Sequence, residues 1–122
     1  MLVEIFVVCI TKLLKMKKYI LTTFSLPVKG EETTYNQWYN QVHLEDLLQI
    51  PGIKSAQRFQ PQEAEGSLES PYLAIYEIET EDVTKVMQSM QDGSYKIHGS
   101  PAIDTSSIRM QVYEVLGDKR IL

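Results

Sequence analysis

Two histidines and a few polar neighbours are the residues of this sequence best suited to carry chemistry. His43 is followed three residues later by Asp46, a spacing at which two side chains can meet on a helix. A histidine changes charge near neutral pH, so His43 can take a proton from an acidic carbon or phenol, or polarise a carbonyl. Asp46 can orient the imidazole and raise its basicity. We therefore predict His43 and Asp46 as candidate catalytic residues.

Each of these residues also has a structural interpretation. His43 can be a helix-edge histidine that bonds a backbone carbonyl or a tyrosine. Asp46 can bond Arg58 or a tyrosine hydroxyl and so fasten the helix to a sheet. Arg58 can bind a carboxylate or enolate oxygen of a ligand, or it can pair with Asp46 or Glu77. The sequence leaves these alternatives open.

Further candidates for ligand binding are Tyr39, Tyr76 and His98. Tyrosines combine apolar bulk with a polar tip, which suits an aromatic ligand, and Tyr76 or Arg58 can stabilise an oxyanion. His98 lies in a loop containing Gly99 and Pro101 that can close over a pocket, although a loop histidine can also be simply solvated.

The composition argues against several classes of partner. The net charge of −4, with no basic run, gives no footprint for nucleic acid. Two distant histidines and one cysteine make no metal cluster, and phosphate-binding loops and dinucleotide fingerprints are absent, so we expect no cofactor. The apolar run near the N-terminus is too short to span a bilayer, so we expect a non-core extension there rather than a membrane partner. The alternative is a weak interfacial or partner-binding helix with Lys12, Lys15, Lys17 and Lys18 near the lipid surface. The single cysteine fits a reducing compartment, and we expect the cytoplasm.

The elements that must position these residues follow from periodicity. Strands are predicted over 18–26, 53–60, 72–79 and 107–116, and the third is apolar on both faces until Glu77, which indicates a central position in the sheet. A helix begins with Thr34 as its cap and ends at Pro51-Gly52, and a second follows Thr80. Polar segments over 61–71 and 94–106 are expected to be loops. On the first helix one face carries residues at helical spacing, namely Tyr35, Trp38, Tyr39, Val42 and Asp46, with His43 at its edge.

The order strand-helix-strand, repeated once, predicts an α+β, ferredoxin-like βαββαβ fold: a four-stranded antiparallel sheet with two helices on one face. The domain should cover 17–117, with an N-terminal extension over 1–16 and a C-terminal tail over 118–122. The second sheet face still carries apolar residues, so we expect it to meet another copy of the chain in a homodimer.

The helix and the strand after it resemble a known family. The pattern W-Y-x-x-x-H-x-x-D, then P-G, then R-F is similar to the EthD-like branch of the dimeric α/β-barrel superfamily. The residues that carry it are Trp38 to Leu48, Ile50-Pro51-Gly52 and Ala56 to Phe59. The strand from Tyr72 to Glu77 matches the next strand of these proteins, and the resemblance spans residues 18–116.

The resemblance implies a homodimer with a pocket in each subunit between sheet and helices. It places the family's histidine and acidic residue on His43 and Asp46, and its arginine on Arg58. Relatives include cofactor-free monooxygenases, polyketide cyclases and lactone isomerases, as well as proteins without known activity. The expected function is therefore binding of a small apolar or aromatic molecule with cofactor-free acid–base chemistry, or a binding or stress-related module without turnover.

Overall fold

A computed structural model describes residues 3–5, 7, 15–62 and 70–122 of the chain. Its sheet consists, within these residues, of β1 (Lys17–Pro27), β2 (Ile53–Phe59), β3 (Tyr72–Thr80) and β4 (Ile103–Glu114). Helix α1 follows β1 over residues 32–48, and helix α2 (Val83–Ser89) follows β3. All neighbouring strands pair antiparallel in the order β2-β3-β1-β4. The predicted ferredoxin-like α+β fold is confirmed.

Both helices cover the same face of the sheet. Successive side chains of a strand point to opposite faces, so Ala74, Tyr76 and Ile78 of β3 share one side. These three are almost fully buried, in one cluster with Tyr39 of α1 and Val86 of α2. Burying apolar area at roughly 25 cal/mol per Å² is the main source of stability for such a layer pair.

Helix α1 changes its winding in the middle. It is α-helical over Glu32–Trp38, π-helical over Tyr39–His43 and α-helical again over Leu44–Leu48. A π turn closes over five residues rather than four, so it shifts the buried face along the sequence. Tyr39 and Asp46 of the predicted face are therefore still buried, whereas Val42 is only partly buried and Leu47 is buried instead.

The ends of α1 agree only in part with the sequence. The helix begins at Glu32, and no side chain caps it, so the prediction of Thr34 as its cap is wrong. The predicted stop at Pro51-Gly52 is found, since Gly52 has φ +101°, which favours glycine. A Cβ on Gly52 would also lie 3.0 Å from Val86 Cγ2, so this turn needs glycine for space as well.

Strand β4 starts earlier than its sequence indicates. Residues 103–106 were expected in a loop, yet Ile103 and Asp104 pair with Pro27 and Leu26 at the end of β1. A bulge between Phe24 and Leu26 shifts the register, and the Leu26 N–H donates to Ser107 Oγ at 2.8 Å. Pairing with β1 thus extends β4 into a polar segment, which no local pattern reveals.

Some expectations fall on residues that are not described. Most of the expected extension over 1–16 and residues 63–69 of the expected loop lie outside the described residues, so both remain predictions. Among the residues that are described, no helix is long and apolar enough to cross a membrane.

Candidate functional site

A cavity of about 320 Å³ lies between the sheet and α1, beneath the segment that joins α2 to β4. Three sides of it come from different parts of the fold. The sheet contributes Leu21, Thr23, Tyr76, Ile103, Thr105, Ile108 and Met110; α1 contributes Trp38, Tyr39, His43 and Leu47; the connecting segment contributes Met90, Gln91, Ile97, His98, Gly99 and Ser100. The lining is mainly apolar, with His43, Tyr76 and His98 among its few polar groups.

The π turn of α1 brings His43 to this cavity. Its ring stacks on Trp38 with centroids 4.6 Å apart and meets the edge of Tyr39 at 5.0 Å. Nδ1 of His43 is buried and has no hydrogen-bond partner among the described residues. Burial lowers the pKa of His43 to about 4; the Asp46 carboxylate opposes this shift and the Arg58 charge adds to it. His43 is therefore a neutral imidazole at physiological pH.

Asp46 does not hydrogen-bond His43, which corrects the expected role of Asp46 as the orienting partner of that ring. Its Oδ2 accepts two hydrogen bonds from His98 instead, one from the backbone N–H at 2.7 Å and one from the Nδ1 side of the ring at 2.9 Å. Burial opposes ionisation of Asp46, but these hydrogen bonds and the charge of His98 outweigh it and lower the pKa of the carboxyl group. The alternative bonds from Asp46 to Arg58 or a tyrosine are not formed either.

His98 lines the cavity and is held more firmly than a solvated loop residue would be. Besides its two bonds to Asp46, its backbone carbonyl accepts a hydrogen bond from Trp38 Nε1 at 3.0 Å. The side chain of His98 remains 52% exposed, whereas that of Asp46 is 10% exposed. The His98 ring therefore lies at the rim of the cavity and is hydrogen-bonded to the buried Asp46 carboxylate.

Tyr76 is fully buried on β3, and its hydroxyl has no hydrogen-bond partner within the described part of the chain. The Tyr39 hydroxyl is close enough to influence it, but the two groups do not reach hydrogen-bonding geometry. Burial, followed by the neighbouring Tyr39, raises the pKa of Tyr76 far above its usual value. Tyr76 is thus a neutral hydrogen-bond donor at the cavity wall.

Arg58 does not line the cavity. Its guanidinium donates to Asn40 Oδ1 at 2.8 Å and to Asn36 Oδ1 at 2.9 Å, and it lies 4.3 Å from the centroid of Tyr39. No carboxylate in residues 15–62 or 70–122 forms a salt bridge with Arg58, so the expected pairing with Asp46 or Glu77 is not formed. Arg58 fastens α1 to β2 and acts on the site only through its charge.

Trp38 was not among the candidate site residues that the sequence indicated, yet it has a part in the site. Trp38 both stacks on His43 and holds the His98 carbonyl. Strand pairing would have pointed to Leu21, because it pairs with Tyr76 and so shares its face. No group of three His, Cys, Asp or Glu side chains in the described ranges is placed to hold a metal ion.

Several solved structures share this fold. A heme-degrading protein of Mycobacterium tuberculosis has a TM-score of 0.53 at 15% identity, covering 85% of this chain and 98% of that one. A candidate monooxygenase of Shewanella loihica PV-4 has a TM-score of 0.53 at 18% identity, with 84% and 98% covered. An EthD family protein of Bacillus halodurans C-125 has a TM-score of 0.52 at 12% identity, with 82% and 99% covered.

At these identities the similarity concerns the fold. It agrees with the fold that the EthD-like resemblance implies. No family model matches the sequence, and no curated protein matches it significantly.

Proposed function

We propose that the cavity binds a small, neutral, apolar or aromatic compound that carries an oxygen, and that the site performs cofactor-free acid–base chemistry on it. The observation that carries this proposal is a pair of buried polar groups, the Tyr76 hydroxyl and His43 Nδ1, which have no partner among the described residues and belong to residues that line a mainly apolar cavity. Leaving such a group unsatisfied costs about 1–3 kcal/mol. A ligand oxygen that accepts from Tyr76 would offset that cost.

The charges around the cavity favour a neutral ligand. His43 is uncharged at neutral pH, and the Asp46 carboxylate is engaged by His98. No lysine, arginine, aspartate or glutamate is among the described residues that line the cavity. A carboxylate ligand would therefore lose its hydration without meeting a lysine or arginine at the wall.

The volume of the cavity also limits the size of the ligand. Its volume of about 320 Å³ is near the lower end of the range for ligand pockets, roughly 300–1,000 Å³. A compound with one or two rings suits that space better than a macrocycle such as haem. The neighbours' names suggest monooxygenase chemistry, and the same acid–base groups also suit a cyclase or isomerase.

The proposal includes a homodimer formed through the sheet face that the helices leave open. Phe24, Phe59 and Leu73 are neighbours on that face, because Leu73 pairs with both phenylalanines. Phe24 is 38% exposed and Phe59 is 41% exposed in the single chain. An apolar patch across several strands is typical of a protein interface, and a second copy supplies a matching patch.

Ligand binding can be tested by calorimetry and thermal shift with 2-tetralone, phenols, lactones and, as the charged counterpart, benzoate. We expect neutral compounds to bind and benzoate to bind at least about tenfold more weakly, or about 1.4 kcal/mol. Thr23→Trp fills the cavity and should abolish binding, whereas the matched Thr84→Trp on the exposed side of α2 should leave it intact. Equal binding of benzoate, or unchanged binding by Thr23→Trp, would contradict the proposal.

A binding module without turnover is the second candidate, and the state of His43 favours it. A base with a pKa of about 4 is poorly matched to proton abstraction near neutral pH. If neutral ligands bind while no phenol, ketone or lactone is converted, the binding module is the correct reading.

A further inference from the structure

The proton-transfer group of this site need not be the histidine of the W-Y-x-x-x-H-x-x-D pattern. His98 lines the cavity and is the histidine that makes a short hydrogen bond with a carboxylate, at 2.9 Å from Asp46 Oδ2. Its backbone is fixed by two further bonds, to Asp46 and from Trp38. A ring held at both its backbone and one nitrogen has little freedom left, which suits a catalytic group.

The hydrogen bond to Asp46 also selects the tautomer of the ring. Asp46 is ionised and can only accept, so Nδ1 of His98 must carry the hydrogen. In the neutral ring this leaves the lone pair on Nε2, which makes no hydrogen bond with the described residues. A buried carboxylate on the far nitrogen orients an imidazole and stabilises the imidazolium that forms when Nε2 takes a proton.

From this geometry we infer that His98 Nε2 is the general base of the site, that Asp46 is its positioning residue, and that Tyr76 holds the oxygen of a ketone substrate. The inference rests on the proposed ligand pocket and adds the substrate class and the residue roles. In this arrangement His43 is an uncharged part of the cavity wall beside the ligand and does not act as the base.

The reaction step balances without a cofactor. His98 Nε2 takes a proton from the carbon next to the carbonyl, and the electrons of that C–H bond form a carbon–carbon double bond. The carbonyl π pair moves onto oxygen, and the resulting enolate accepts a hydrogen bond from the Tyr76 hydroxyl. The imidazolium of His98 then returns the proton to carbon, either at the same position or at a conjugated one. The net result is hydrogen exchange or isomerisation, with no oxidant consumed.

The probe is 2-tetralone, a neutral two-ring ketone whose hydrogens next to the carbonyl exchange with solvent. Deuterium uptake in heavy water is followed by proton NMR with and without the full-length protein. We expect the protein to accelerate exchange over buffer, and His98→Gln to lower the protein-dependent rate by roughly 10²-fold or more. The dissociation constant for 2-tetralone should change by less than about threefold in that variant, since binding depends on the apolar walls.

Asp46→Asn tests positioning separately from chemistry. It should lower kcat and leave KM nearly unchanged, because Asp46 acts through His98 and does not line the cavity. Lys96→Gln, an exposed change in the same segment, should leave exchange unaffected. If His98→Gln or Asp46→Asn exchanges as fast as the native protein, the inference is overturned.

A spectroscopic measurement covers the case in which these variants fail to fold. Nitrogen-15 NMR of the native protein, at a pH where the chemical shifts show a neutral His98 ring, should place its hydrogen on Nδ1 and not on Nε2. The chain has two histidines, so the comparison with His43→Gln assigns the signals. Hydrogen on Nε2 of the neutral His98 ring would overturn the inference.

The outcomes also separate this inference from the proposed function. If 2-tetralone does not bind, the ligand pocket itself is refuted. If it binds and Thr23→Trp abolishes binding, yet exchange is no faster than in buffer, the pocket stands and the roles given to His98 and Tyr76 are wrong.

Discussion

Tyr76→Phe should stabilise the ligand-free protein, against the usual direction of a change at a fully buried residue. The ring keeps its packing, and the only group removed is a buried hydroxyl without a partner among the described residues. Relief of an unsatisfied polar group is worth about 1–3 kcal/mol. For a chain of 122 residues, about 1 kcal/mol corresponds to a rise in Tm of roughly 3–6 °C.

Tyr35→Phe is the matched control, because Tyr35 is equally buried but its hydroxyl lies 2.6 Å from Ser25 Oγ. That variant breaks a hydrogen bond and leaves Ser25 buried without it, so it should lose about 1–2 kcal/mol. Urea denaturation of both variants measures the two free energies of unfolding. In the same preparation Tyr76→Phe should bind 2-tetralone roughly 3- to 10-fold more weakly. If both variants lost the same free energy of unfolding, the hypothesis that the unpaired Tyr76 hydroxyl donates to a ligand oxygen would be refuted.

Three further predictions concern pH, anchoring and assembly. The pKa of His43 is about 4 in the folded chain and 6.5 in the unfolded chain, so the unfolded state binds a proton at a higher pH than the folded state does. The free energy of unfolding should therefore fall by at most about 3 kcal/mol from pH 7 to pH 4. In denaturation curves measured across this pH range, His43→Gln should show a smaller loss. Arg58→Lys removes the planar guanidinium that donates to two asparagine side chains, so it should lower the free energy of unfolding in urea by about 1–2 kcal/mol. The exposed Arg120→Lys should lower it by less than about 0.5 kcal/mol. The native chain should sediment as a dimer at micromolar concentration and Phe24→Glu as a folded monomer; a monomeric native chain would rule out the proposed assembly.

The fold was predictable because the local pattern of residues in the sequence indicates its strands and helices. Residues 18–26 and 72–79 are rich in β-branched and aromatic residues, as strands are, and the structure extends them by only one or two residues. The Pro51-Gly52 turn ends α1 as expected. The predicted start of β4 was wrong because a distant segment decides it: β1 pairs with Ile103 and Asp104 and so extends β4.

The candidate site was predicted as a set of residues but not as a set of contacts. His43, Tyr39, Tyr76 and His98 all line the cavity, whereas Arg58 lies outside it and Asp46 reaches it only through His98. Helical spacing placed Asp46 near His43, and spacing alone cannot tell which of two acceptable partners a carboxylate takes.

By itself the sequence determined which residues lie on each face of the strands, because side-chain direction follows from the backbone period. Tertiary structure alone decided that α1 contains a π turn, which moves His43 to the cavity wall. It alone decided that Asp46 pairs with His98, which is 52 positions away. This pairing depends on how the segment after α2 folds back onto α1, through contacts of His98 with Trp38 and Asp46 that no local pattern connects.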